Sequence, residues 1–249
     1  MGRFDQKVLL LTGAGSGIGR ASALKLAAEG ASLYLTDVNA EGLAETVKDA
    51  QQSGGAIESA VSDISNEDQA KAAVAACVQS FGRLDALCNN AGVIAYENAH
   101  DMSLNFWRRI LSINLDGTFL MTREAIPHLL ETRGAIVNIG STAGISGLAY
   151  GSAYSASKGA IHAFTRALAV EYADRGLRAN SICPASIQTG MSTGTRIPKG
   201  ANFELLNRLS SLHGNAGPEV VADLVVFLAS EEAKYISGEE IRIDGAALA

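Results

Sequence analysis

Cysteine is scarce in this sequence, and its spacing builds no framework. Cys77, Cys88 and Cys183 are odd in number, dispersed and free of any CxxC, which points to a reducing, cytoplasmic setting. Histidine is as sparse: His100, His128, His162 and His213 show no metal-ligand spacing, so no metal is expected. No stretch approaches the length of a membrane span. The apolar run Val8–Leu11 is too short for a secretion signal and meets glycines at once; Gln6 stands where a myristoylation signal needs Ser or Thr. Positive charge is in deficit, with 20 Lys and Arg against 26 Asp and Glu and a formal charge of −6, which argues against a general nucleic-acid binder. Linkers, repeats and low-complexity tracts are missing too, so residues 1–249 are read as a single domain. What is present is an apolar share of 47% against 18% charged residues, enough to bury a sizeable core.

Short apolar runs alternate with longer amphipathic ones. Strands are expected at Val8–Leu11, Ser32–Thr36, Ile57–Val61, Ala86–Cys88, Ala135–Ile139, Arg178–Cys183 and Glu240–Ile243. Helices are expected at Ile18–Glu29 and Leu43–Gln52, from a capping box at Ser65-Asn66-Glu67-Asp68 to Phe81, over Asn105–Leu130 with a kink near Pro127, at Tyr154–Tyr172, and from Pro218 to about Ser230. This alternation implies an α/β fold: a doubly wound parallel sheet of about seven strands with helices on both faces. Ligands then bind beyond the carboxyl ends of the strands.

The residues just past those ends carry the chemistry. Thr12-Gly13-Ala14-Gly15-Ser16-Gly17-Ile18-Gly19 follows the first strand and opens a helix. It is not the strict G-x-G-x-x-G pattern, but its glycines allow a tight turn and let backbone approach a pyrophosphate at a helix N-terminus. Asp37 closes the second strand, about twenty residues on, where a carboxylate accepts hydrogen bonds from an adenosine ribose. It would also repel a 2′-phosphate, and no Arg or Lys lies in the loop before Gly17 to offset that. NAD is therefore expected over NADP. Asp63, with Ile64 beside it, follows the third strand; it can meet the adenine edge or serve as a turn residue.

Tyr154-Ser155-Ala156-Ser157-Lys158 places a phenol and an ammonium at i and i+4, on one helical face. A cation there favours the phenolate and lowers the tyrosine pKa. Ser141 lies just past the strand Ala135–Ile139, thirteen residues before Tyr154. With these motifs in hand, the chain resembles the short-chain dehydrogenase/reductase family over essentially its whole length. Thr12–Gly19 resembles the family's TGxxxGxG loop, Asn89-Asn90-Ala91-Gly92 its NNAG segment bordering the cofactor, and Asn114 falls at its catalytic asparagine. A polar residue in mid-helix also commonly bonds a neighbouring turn.

The resemblance implies a Rossmann fold and a mechanism. In oxidation Tyr154 takes the hydroxyl proton, Lys158 binds the nicotinamide ribose and lowers the tyrosine pKa, Ser141 holds the substrate oxygen, and Asn114 supports a water leading to solvent. It further implies that Ile187 and Thr189, after Pro184, hold the carboxamide, that residues 190–217 form a substrate lid, and that the protein is a homotetramer built through its long helices and last strand. The family's usual Pro-Gly is Pro184-Ala185 here, and its Asp-Gly-Gly is Asp244-Gly245-Ala246. Ile94, Tyr96, Ala143, Ile145, Tyr150, Ser186 and Met191 are candidate pocket walls. The reading is an NAD-dependent oxidoreductase acting on a small alcohol or ketone. Its rivals are an NADPH-dependent 3-oxoacyl-carrier-protein reductase and a non-catalytic NAD(H) sensor.

Overall fold

The computed structural model describes residues 2–192 and 195–249. The chain alternates strand and helix: β1 (Val8–Thr12), α1 (Gly17–Ala28), β2 (Ser32–Asp37), α2 (Ala40–Gln51), β3 (Ile57–Val61), α3 (Glu67–Phe81) and β4 (Ala86–Asn89). Then come α4 (Leu104–Leu111), a π turn (Ser112–Asp116), α5 (Gly117–Thr132), β5 (Ala135–Ile139), α6 (Thr142–Ser146) and α7 (Ser152–Glu171). β6 (Arg178–Pro184), α8 (Phe203–Leu206), α9 (Glu219–Ala229) and β7 (Glu240–Ile243) complete it. The strands form one parallel sheet in the order β3-β2-β1-β4-β5-β6-β7, as the alternation predicts.

Side chains of a strand alternate between faces, and β1 shows why its run is apolar throughout. Leu9 and Leu11 pack with Leu26 of α1, Leu43 of α2 and Val225 of α9. Val8 and Leu10 pack with Val74 of α3, Met121 of α5 and Leu168 of α7. Both faces are covered, as a parallel sheet requires. The order reverses between β1 and β4, and a crevice opens there beyond the strand ends.

The structure departs from the expected elements at three places. Asn105–Leu130 is not one regular helix: Gly117 N–H bonds the Ser112 carbonyl five residues back, which is a π turn, and the helix then runs through Pro127 to Thr132. The helix after β3 starts one residue later than the capping box implied, because Asn66 is the cap and its Oδ1 accepts from Gln69 N at 3.1 Å. α7 begins at Ser152, so Tyr154 sits within its first turn. Cys77, Cys88 and Cys183 are free and buried, and no helix among the described residues is long and apolar enough to cross a membrane.

Candidate active site

A cleft of about 1030 Å³ runs along the carboxyl ends of the strands, with the glycine loop at one end and Ser141, Tyr154 and Lys158 at the other. It is at the upper limit of small-molecule sites.

At the first end, the loop conformation needs its glycines. Gly13 and Gly17 have φ of +66° and +51°, values that L side chains rarely adopt. Thr12 Oγ1 accepts from the backbone N–H groups of both Asn90 and Ala91 at 3.1 Å, and Asn90 Nδ2 donates to Gly13 O at 2.9 Å. The segment after β4 thus braces the loop after β1. Helix α1 begins at this cleft with no side-chain cap from Ser16 and no acid in its first turn, whereas Asn39, Asn66 and Ser103 cap their helices with side-chain oxygens. An uncapped N-terminus with open backbone donors fits a pyrophosphate.

Asp37 lies beside that loop. Its Oδ2 accepts from Gly15 N at 2.8 Å and its Oδ1 from Asn39 N at 2.8 Å; both oxygens keep lone pairs for ribose hydroxyls. The nearest guanidinium on α1, that of Arg20, is committed to Glu45 and Asp49 on α2, at 3.2 and 2.6 Å. Asp63 and Ile64 also line the cleft, and Asp63 serves as a turn residue as well: its Oδ1 accepts from Ser65 N and Oγ.

At the other end Ser141, Tyr154 and Lys158 line the cleft, while Asn114 stands behind the lining; all four are buried. Burial pushes the Tyr154 phenol up to about 12; the Ser141 hydroxyl, hydrogen-bonded to it, pulls it back, and Tyr96 pushes it up. Burial drives the Lys158 ammonium down to about 8. Its Nζ donates to Ile139 O at 2.6 Å and lies 5.8 Å from the Tyr154 ring centroid. Desolvation of the phenol thus outweighs the cation in these residues by themselves, a difference from the simple i, i+4 expectation. Asn114, set on the π turn, donates to Val93 O and Ser157 Oγ, each at 3.0 Å, and accepts from Val93 N at 2.8 Å. Three of its four bonding positions are used by the protein. A β-carbon on Gly92 would come within 3.2 Å of Asn114 Oδ1 and 3.5 Å of Lys158 Nζ, so glycine lets these groups share one corner.

Most sequence-predicted residues meet in the cleft: Gly13, Ser16, Gly17 and Ile18 from the loop; Asn90, Ala91 and Gly92 after β4; and Pro184, Ile187 and Thr189 after β6. Gly19 does not. A β-carbon there would stand 1.9 Å from Gly13 O, so this glycine seats the helix against the turn rather than facing the cleft. Ile94, Tyr96, Ala143, Ser186 and Met191 are walls, but Ile145 and Tyr150 are not. Ile145 is largely exposed, and Tyr150 turns its hydroxyl to accept from Asn202 N at 2.8 Å. Arg208 likewise donates to the carbonyls of Ser146 and Gly147. These three bonds lay the segment 190–217 over the turn between α6 and α7; residues 193 and 194 of it lie outside the described residues. Sequence reasoning missed Leu148, Leu206 and Leu209 as walls; nothing in their spacing marks them. Ala185 replaces glycine without a positive φ, whereas Ala246 has φ +66°.

His162, Cys183 and Glu240 gather behind Ser141. His162 faces Cys183 Sγ with Nε2 and Glu240 with Nδ1.

Comparison with known proteins agrees with this geometry. Residues 13–246 match the family model described as Enoyl-(Acyl carrier protein) reductase. The chain is 38% identical to the 3-oxoacyl-(acyl-carrier-protein) reductase FabG of Thermotoga maritima, over 98% of each protein. It is 37% identical to the meso-2,3-butanediol dehydrogenase of Serratia marcescens, over 99% of this chain and 96% of that one. The structure of a short chain dehydrogenase from Mycobacterium paratuberculosis bound to NAD superposes with a TM-score of 0.92 at 30% identity, covering 99% of both chains. With the glycine loop, the Ser141–Tyr154–Lys158 cluster and this extent of likeness together, the chain belongs to the short-chain dehydrogenase/reductase family of oxidoreductases.

Proposed function

We propose that the protein is an NAD-dependent dehydrogenase interconverting a secondary alcohol and a ketone, with Tyr154 as general acid/base. The observation that carries this is the Ser141–Tyr154 hydroxyl pair, buried beside Lys158 at one end of a cleft whose other end is an uncapped helix and Asp37. Asp37, flanked by no free guanidinium on α1, favours an unphosphorylated ribose. Gly13, Ser16 and Gly17 would hold the pyrophosphate, Lys158 the nicotinamide ribose, and Ile187 and Thr189 the carboxamide. When bound, NAD supplies the hydride acceptor.

The chain's own work is positioning and proton transfer. Ser141 donates to the substrate oxygen, which then lies within reach of the Tyr154 hydroxyl. The Tyr154 phenolate accepts the alcohol proton in oxidation, and the phenol returns it in reduction. Lys158, protonated below about 8, stabilises the phenolate as it forms, in a dry pocket where one charge has a large effect. The segment 190–217, held by Tyr150 and Arg208, acts as a lid that excludes water. A soluble cytoplasmic protein is proposed, associating as a homotetramer through α5 and α7, which leave Phe119 and Val170 exposed.

NADH formation from NAD⁺ across a panel of secondary alcohols, with Tyr154→Phe in parallel, tests the reading. A hit that vanishes in the variant while NADH binding persists supports it; full activity in the variant overturns the role of Tyr154. Tighter binding of NADPH than of NADH would overturn the role of Asp37 and favour the 3-oxoacyl-carrier-protein reductase, the activity named for the Thermotoga relative. Binding of NADH without turnover of any substrate would favour the sensor.

A further inference from the structure

The substrate end of the cleft is apolar on most sides, walled by Val93, Ile94, Ile110, Leu148, Leu206 and Leu209. Arg109 and Ser210 also reach the cleft, and one phenol stands among the apolar side chains next to Ile94. Tyr96 is half-buried, and no described residue hydrogen-bonds its hydroxyl. Tyr96 and Tyr154 line the same cleft.

The position of Tyr96 is fixed from both sides. Before it, Val93 is clamped by the Asn114 amide through both backbone groups, at 2.8 and 3.0 Å. After it, Glu97 N donates to Tyr150 O at 2.8 Å, four residues ahead of Tyr154. The clamp and the tie hold the loop to the π turn and to the residues just before α7, close in the chain to Asn114 and Tyr154. A polar group held this firmly in an apolar wall acts as a selector, because a ligand that fails to pair with it leaves it desolvated.

We propose that Tyr96 is a second polar anchor for the substrate: its hydroxyl hydrogen-bonds an oxygen on the carbon next to the reacting one, so the site prefers vicinal diols and the matching hydroxyketones over simple alcohols. The inference rests on the dehydrogenase reading above. One neutral hydrogen bond in a half-buried site sets the expected preference at about tenfold.

The test compares cyclohexanol with cis- and trans-1,2-cyclohexanediol, in wild type and Tyr96→Phe. Two quantities are read: kcat/KM with NAD⁺, and the dissociation constant of each alcohol from the protein–NADH complex by NADH fluorescence. Wild type should favour one diol by about tenfold in both, and the diol-to-alcohol ratio should fall towards one in the variant. An unchanged ratio in Tyr96→Phe, or no preference in wild type, overturns the anchor. If neither protein turns over any of the three while the binding ratio still collapses in the variant, the anchor stands and the dehydrogenase reading falls.

Discussion

Replacing Lys158 by methionine should make the protein more stable and chemically inert, and the size of the gain follows from where the amine sits. Burial lowers the Lys158 pKa from 10.5 to about 8. At pH 7 both the folded and the unfolded chain hold the proton, but the folded one holds it in a dry site. A separation of about 2.5 pKa units is worth about 3 kcal/mol against folding. Methionine has similar length and no charge, so it removes that cost. It also leaves Ile139 O without its 2.6 Å donor, which costs about 1 kcal/mol. The net expectation at pH 7 is a gain of about 2 kcal/mol. The sign in pH is fixed by the direction of the shift. Between about 8 and 10.5 the folded state has lost the proton that the unfolded state still binds, so wild-type stability rises across that window and the advantage of the variant shrinks. At pH 10 the wild-type penalty is down to about 1 kcal/mol, and the two proteins should unfold together. Urea unfolding of both at pH 7 and pH 10, with equal m-values, measures this. A variant less stable than wild type at pH 7, or a difference that does not change with pH, would refute the reasoning. Loss of turnover alongside the gain would mark Lys158 as a group kept for chemistry at the expense of stability.

The opposite end of the pH scale tests His162. Burial, with Lys158 and Arg166 nearby, pushes its pKa down to about 4; Glu240 faces its Nδ1 and Cys183 its Nε2. The folded protein thus keeps it neutral while the unfolded chain protonates below about 6.5, so stability is lost as pH falls from 6.5 towards 4. Between pH 7 and pH 5 wild type should lose about 2 kcal/mol more than His162→Gln, measured as the difference in their urea midpoints; parallel acid limbs would contradict this. Ala246→Gly should stabilise the protein by about 1 kcal/mol, since alanine holds φ +66° there at a cost that glycine avoids, less its greater freedom when unfolded. Unchanged or reduced unfolding free energy would show that the turn carries no strain.

Strands and their pairing class were legible because burial on both faces writes itself as continuous apolar runs such as Val8–Leu11. The cofactor loop was legible because tight turns against a helix admit few residue types. The π turn was not, since one extra residue in Ser112–Asp116 leaves no mark on a pattern read at 3.6 residues per turn. Gly19 looks like its neighbours in sequence, and only the lack of room for a β-carbon against Gly13 O separates a packing glycine from a ligand-facing one. Ile145 is expected in the pocket because it follows Ser141, yet it is exposed; Tyr150 is expected there too, but its positive φ and its bond to Asn202 turn it to another task. The clamp of Asn114 on Val93 pairs residues 21 positions apart; it has no local signature.

The π turn also sets how this helical stretch tolerates change in length. Each α-helical residue advances the chain by about 100°, and a π turn takes up one residue more than an α turn while the halves on either side keep their phase. Deleting one residue of 112–116 would therefore let the stretch close into a regular helix, with Phe106 and Trp107 still able to pack with Ala143 and Tyr154. What would be lost is the widened turn that presents Asn114 to Val93. The extra residue thus serves the placement of one side chain rather than the packing of the two helical halves.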